Sequence, residues 1–146
     1  MDRLGATATV TLGGPDDRAA LAEAAGPDGI NVIIDYLWAP AAEAAIAAIT
    51  RRGMIHAAPR VRLVEVGMMA GPVISLPADV LRSSGLEVIG SGPGTIPLAE
   101  ITGAIPGFLA LAATGDLPID LDEVPLAEVE PAWHRSGGGR RIVFRP

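Results

Sequence analysis

Short apolar runs that stop at glycine- and proline-rich turns recur along the chain, with alanine-rich stretches of helical character between them. Thr7 to Leu12 alternates β-branched and small residues and ends at Gly13-Gly14-Pro15, which predicts a first strand. Asp16 and Asp17 are placed to cap a helix running to about Ala25, where Gly26-Pro27-Asp28-Gly29 makes a turn. Asn31 to Tyr36 is a continuous apolar run ending on Asp35 and Tyr36, the pattern of a central parallel strand covered on both faces. Ala41 to Arg52 has high helix propensity, with Ala44, Ile46, Ala47 and Ile49 along one side, and reads as a crossover helix ended by Gly53. The unit then recurs. Arg62 to Val66 predicts a strand, Pro77 to Ser84 a short helix, and Leu86 to Ile89 another strand broken by Gly90-Ser91-Gly92-Pro93-Gly94. A longer helix is predicted from about Pro97 to Thr114, interrupted in register by Gly103, Pro106 and Gly107, with Pro106 expected to kink or split it.

Strands alternating with helices at intervals of roughly 25–30 residues are the mark of βαβ units, which close right-handed around a mostly parallel sheet. The fold class is therefore α/β. The tail departs from the pattern: Ile119 to Val124 is a polar, acidic strand candidate, Leu126 to Arg135 a helix, and Arg141 to Phe144 a last strand after Gly137-Gly138-Gly139. This predicts a sheet domain over residues 1–115 and a strand-helix-strand tail over 116–146, lying beside the sheet rather than within its parallel core.

Composition narrows the class further. The chain has 146 residues, a size that fits one core, and 49% of them are hydrophobic but only 3% aromatic, so aliphatic side chains must fill that core. A net charge of −6 and the lack of a basic stripe disfavour nucleic-acid binding, which depends on Lys and Arg neutralising phosphates. With no cysteine there is neither disulfide nor thiolate chemistry, and with only His56 and His134 a metal site would have to lean on carboxylates. Both histidines are read as surface or packing residues, and no zinc is expected. No apolar run approaches the ~20 residues of a membrane span, and Met1 to Leu4 is charged rather than signal-like, so the expected location is the cytoplasm, away from membranes.

In open α/β sheets, ligands bind outside the carboxyl ends of the parallel strands. The loops starting at Asp35, Gly67 and Gly90 should therefore open on one rim. Glycine at two of them lets a ligand approach the backbone, whose N–H and C=O groups suit a flat amide, although glycine there also serves simply to end a strand. Gly90-Ser91-Gly92-Pro93-Gly94-Thr95 partly matches a dinucleotide fingerprint, but Thr95 stands where a third glycine or alanine belongs, and Pro93 and Pro97 remove backbone donors. Asp116 lies at about the right distance beyond it but in a turn. No Ser-His-Asp set has the context of a nucleophile elbow, and Asp116, Asp120, Asp122 and Glu123 read as a solvated acidic face without a basic partner nearby. Asp35 ends an apolar strand and is equally fitted to touch a ligand or to hold a neighbouring loop by hydrogen bonds.

Three segments in order, Asp35-Tyr36-Leu37-Trp38, Val64-Glu65-Val66-Gly67-Met68-Met69-Ala70-Gly71 and Ser83-Ser84-Gly85-Leu86-Glu87-Val88-Ile89-Gly90-Ser91-Gly92, resemble the medium-chain dehydrogenase/reductase superfamily. The likeness is strongest to its quinone-oxidoreductase and zinc-type alcohol-dehydrogenase-like members. It extends over essentially the whole chain, including the ending Ala127 to Pro146. The resemblance implies part of a Rossmann sheet, with Leu4-Gly5-Ala6-Thr7 at the approach to its third strand. It thus implies that the first two strands, the phosphate fingerprint, the zinc ligands and the substrate domain lie outside this chain. NADP or NAD is the implied cofactor. Asp35, Tyr36 and Leu37 would lie near the nicotinamide-side ribose, Gly67 and Met68 near the nicotinamide, and Gly90, Ser91 and Gly92 beside it; no catalytic residue carries over.

Lacking its neighbour, the strand at Val32 to Tyr36 should leave an apolar edge and face open. Sliding of the first strand, docking of a second copy, or a separately encoded amino-terminal half would each cover it, and the resemblance implies a further route to a homodimer, edge to edge through the strand at Leu86 to Ile89. Three functions remain open: the carboxy-terminal cofactor part of an NAD(P)H-dependent oxidoreductase, inactive without its complement; a non-catalytic oligomerisation or interaction module; and a small independent nucleotide site at Gly90 to Thr95.

Overall fold

The computed structural model describes residues 5–50, 59–117, 119–135 and 140–146. The residues form two compact units, 1–98 and 99–146. In the first, α1 (Asp17–Ala25) precedes β1 (Val32–Asp35), α2 (Ala39–Ile49), β2 (Val61–Glu65), α3 (Ala78–Ser83) and β3 (Leu86–Gly90). The strands make a parallel sheet in the order β1-β2-β3. Each strand is reached from the previous one through a helix, as parallel pairing requires.

The core of this unit is aliphatic. Ile46 on α2, Leu63 on β2 and Leu86 on β3 are buried together, and Ile33, Trp38, Ile49, Ile74, Leu76 and Val80 pack against them. Leu63, at 0% exposure, lies on the middle strand. Burying an aliphatic side chain of this kind contributes about 1.5–3 kcal/mol, so this small cluster carries much of what holds α2 to the sheet. The Gly53 stop expected for α2 lies outside the described residues.

Two expectations about strands are corrected. Thr7 to Leu12 forms no strand, and none of its backbone groups is hydrogen-bonded among the described residues. Its alternation supplies β propensity, but a strand needs a neighbour, and no described strand lies alongside it. For the same reason β1 is not central: among the described residues it pairs with β2 alone and stands at the edge, with Val32 54% and Ile34 64% exposed on the face opposite Ile33 and Asp35. The middle strand is β2.

The second unit contains α4 (Leu98–Ala113, whose first residue belongs to the other unit), β4 (Leu121–Pro125), a single 3-10 turn at Leu126–Glu128, α5 (Val129–Ala132) and β5 (Arg141–Arg145). β4 and β5 form their own two-stranded parallel sheet. The helix expected from Leu126 to Arg135 is shorter: a 3-10 turn and one α turn, with Pro131 in the α turn. Pro106 does not split α4, which runs through it as one helix of 16 residues. Trp133 and Phe144 stack with ring centroids 6.5 Å apart and planes 12° from parallel. The acidic segment does have basic partners: Arg135 meets Asp122 at 3.1 Å and Arg145 meets Glu123 at 2.8 Å. These arginines follow the segment by more than ten residues, so only the parallel pairing of β4 with β5 and the intervening turn bring them back. The Gly137-Gly138-Gly139 turn lies outside the described residues.

No described helix is long and apolar enough to cross a membrane. Among the described residues, no group of three or more His, Cys, Asp or Glu is arranged to hold a metal ion. His134 is exposed, and His56 lies outside the described residues.

Candidate functional site

The register of the three-stranded sheet sets Asp35 opposite Glu65 and Glu65 opposite Gly90. The three strand ends therefore lie side by side, and with strands about 4.8 Å apart the row spans roughly 10 Å. Asp35, Tyr36 and Leu37, then Gly67 and Met68, then Gly90, Ser91 and Gly92 all leave the sheet at this one rim, as expected from parallel strands.

Asp35 organises the first loop. It is 7% exposed, and its Oδ1 accepts hydrogen bonds from the amides of Leu37 at 2.8 Å and Trp38 at 3.0 Å. A carboxylate that receives amides two and three residues ahead turns the chain sharply at the strand end. Its other oxygen, Oδ2, is buried and has no hydrogen-bond partner among the described residues. The structural role thus accounts for one oxygen and leaves the other uncommitted.

The second loop is stapled to the first through the backbone. The Asp35 carbonyl accepts from Val66 and Gly67 at 2.8 and 3.2 Å, the Tyr36 carbonyl from Met69 at 3.2 Å, and the Leu37 carbonyl from Ala70 at 2.7 Å. Gly67 has a steric reason to be glycine: a Cβ there would stand 3.1 Å from the Tyr36 carbonyl oxygen. The two loops approach too closely for a side chain. Tyr36 and Met68, 59% and 63% exposed, project from this pair toward solvent.

The third loop behaves differently. Ser91 donates to the Glu65 carbonyl at 2.8 Å, while Gly92 N–H donates to Thr95 Oγ1 at 3.0 Å and the Gly92 carbonyl accepts from Thr95 and Ile96. Four of its amides are thus committed inside the protein. A phosphate cradle needs such amides free and converging, which weighs against an independent nucleotide site at Gly90 to Thr95. A Cβ at Gly90, Gly92 or Gly94 would meet nothing within 4 Å, so close packing inside the chain does not explain these glycines.

Two rim features escaped the sequence reading. Trp38 and Ala39 both have positive φ, 59° and 47°, although neither is glycine. Left-handed backbone costs an L-residue about 1–2 kcal/mol, and Trp38 sustains it with its ring packed on the core cluster. Gly71, at φ 145°, would place a Cβ 3.1 Å from the Cβ of Ala39. Gly71-Pro72 signals only a turn; that the turn abuts the start of α2 is tertiary information.

A cavity of about 700 Å³ lies away from this rim. Its lining includes Ile30, Val61 and Ser84, at the amino-terminal ends of the strands, together with Arg18 and Ala22 of α1. It also abuts Thr50 and Pro59, which flank residues outside the description, so it defines no site.

No protein-family model and no curated protein sequence matches the chain. Among solved structures, the crystal structure of AibC is similar, with a TM-score of 0.70 and 23% sequence identity. The match covers 94% of this chain and 36% of AibC, so the chain spans little more than a third of that protein's length. The likeness is one of fold: an α/β chain with a small parallel sheet and flanking helices.

Proposed function

We propose that the chain is the nicotinamide-side part of a Rossmann-like cofactor domain in an NAD(P)H-dependent oxidoreductase of the medium-chain dehydrogenase/reductase type. The observation that carries this reading is the row Asp35, Glu65, Gly90 at the carboxyl rim of a parallel sheet, with glycines opening two of its three loops. A flat, amide-bearing ring fits such a rim because the glycines keep side chains away while exposed Tyr36 and Met68 offer apolar cover. Asp35, Tyr36 and Leu37 would face the ribose, and Gly67, Met68, Gly90, Ser91 and Gly92 the ring. Phosphate contacts and the hydride acceptor's pocket would come from polypeptide beyond this chain.

Calorimetric titration with NADPH and NADH tests the reading. Saturable binding tighter than ~100 μM, roughly −5.5 kcal/mol, weakened by Gly67→Ala, supports it. If neither nucleotide binds, alone or after addition of a polypeptide supplying a glycine-rich βαβ unit, the reading fails.

A second reading, an association module of the same fold, is favoured by a different observation. β1 has an unpaired edge, with Val32 and Ile34 more than half exposed.

A further inference from the structure

We infer that Asp28 is a site of spontaneous backbone isomerisation, converting to isoaspartate through a succinimide formed with Gly29, and that the product is a substrate for a carboxyl methyltransferase using S-adenosylmethionine. The inference goes beyond the cofactor and association readings and depends on neither.

The chemistry needs an uncommitted carboxyl beside an unshielded main-chain nitrogen. The Gly29 nitrogen gives up its proton and bonds to Asp28 Cγ, and a carboxyl oxygen leaves as water. The five-membered succinimide then takes up one water at either of its carbonyls. Opening at Cγ restores aspartate. Opening at the Asp28 main-chain carbonyl leaves the chain running through Cγ, with the former main-chain carbonyl as a free carboxylate. One water leaves and one enters, so the mass is unchanged while the backbone gains a methylene carbon.

Asp28-Gly29 meets both needs. It is the one Asp-Gly step in the sequence, and both residues are exposed in the turn between α1 and β1. Gly29 has φ 70°, a conformation glycine adopts freely, so the turn itself calls for the residue that leaves its nitrogen bare. A Cβ there would meet nothing within 4 Å, which shows how open the surroundings are. The Gly29 N–H reaches the Gly26 carbonyl only at 3.4 Å, beyond the usual length of such a bond, so the nitrogen is lightly held. The Asp28 carboxylate has no hydrogen bond or ion pair among the described residues.

Other positions lack one condition or both. Asp17 lies in α1 and holds the amides of Gly13 and Gly14 at 2.8 and 2.9 Å. Asp35 is buried and holds two amides of its own loop. Asp116 accepts from Thr114 Oγ1, and Asp122 is paired with Arg135. Asn31, the sole asparagine, precedes β-branched Val32. The consequence for the fold is local to β1. The Asn31 carbonyl accepts from Arg62 at 3.0 Å, and the added methylene lengthens the connection just ahead of that rung.

The test is ageing of the purified full chain at neutral pH, followed by methyl transfer from labelled S-adenosylmethionine and by tryptic mapping. Electron-transfer fragmentation breaks the isoaspartyl Cα–Cβ bond and so places the residue. Methyl uptake should grow with ageing and map to Asp28. Asp28→Glu keeps the charge but would need a six-membered ring, and should lower uptake by at least about tenfold. Asp28→Asn loses ammonia more readily than the carboxyl loses water, and should raise uptake by at least about tenfold. Circular dichroism checks that each variant folds; if one does not, the map of the unaltered chain decides. No isoaspartate at Asp28 after ageing, as much at Asn31 or Asp35 as at Asp28, or unchanged uptake in a folded Asp28→Glu overturns the inference. Isoaspartate at Asp28 that takes up no methyl group overturns its recognition by the methyltransferase.

Discussion

Replacing Asp35 by alanine should cost the first unit about 2 kcal/mol, the balance of two opposed effects. Oδ1 accepts two amides, those of Leu37 and Trp38. Hydrogen bonds to a charged group contribute about 1.5–3 kcal/mol each, and the abandoned amides sit in a partly buried loop, so the gross loss is about 3–6 kcal/mol. Against this, alanine also removes Oδ2, a buried oxygen without a partner, whose desolvation costs about 1–3 kcal/mol. Asp35→Asn separates the two effects: it keeps an acceptor for both amides, lacks the charge, and should cost about 1 kcal/mol or less. Urea unfolding, followed by Trp38 fluorescence in a Trp133→Phe background, should place the alanine midpoint about 1 M lower for an m-value of about 2 kcal/mol/M. An alanine cost below about 0.5 kcal/mol, or an asparagine cost equal to it, would refute the claim that Oδ1 holds the loop.

The rim glycines should divide by their surroundings. Gly67→Ala meets the Tyr36 carbonyl at 3.1 Å, a backbone atom that cannot swing aside, and should lose about 1–3 kcal/mol in chemical unfolding, whereas Gly92→Ala meets nothing and should stay within about 0.5 kcal/mol of the parent. At the sheet surface, the hydrogen bond from Arg60 holds the Glu87 carboxyl below its ordinary range, opposed by desolvation and aided by the charges of Arg60 and Arg62. Since the folded carboxyl titrates lower than the unfolded one, near about 4.3, its contribution is complete above that value and lost as pH falls through the folded one. Glu87→Gln should therefore lower stability slightly at neutral pH, where that contribution is complete, leave it unchanged in strong acid, and so flatten the acid side of a stability-against-pH curve; an unaltered acid side would show that the pair contributes nothing.

The elements legible in the sequence were those whose local pattern and tertiary setting agree. Ala39 to Ile49 is helical by propensity and also presents Ile46 to the core; Leu86 ends a turn at Gly85 and also packs on Leu63. Thr7 to Leu12 was misread because alternation reports what a strand would look like, not whether a neighbour exists. Val32 to Asp35 was read correctly as a strand and wrongly as a central one, since a run of apolar residues encodes burial that the chain by itself does not provide. At the rim, Asp35, Gly67 and Gly90 were found because strand ends in a parallel sheet must converge. The strain at Trp38 and Ala39 was hidden: nothing in the composition of that loop distinguishes a left-handed turn from an ordinary one. Asp122 and Glu123 seemed unpaired for a similar reason, their arginines being distant in sequence: Arg145 is brought adjacent by β5, and Arg135 by the turn that follows α5.

Every strand pair among the described residues is parallel, in both units. No hairpin among the described residues is available to start the chain off, and strand partners such as Val32 and Arg62, or Leu121 and Arg141, are roughly 20 to 30 residues apart. Each pairing must close a long loop before its first hydrogen bonds and side-chain contacts repay the lost entropy. Helices α1 and α2 can begin to form locally and early, but the sheet they flank must assemble late. During that interval the apolar β1 sequence is exposed to other chains as well as to its own, so slow refolding with losses that grow with protein concentration is the kinetic signature this topology carries.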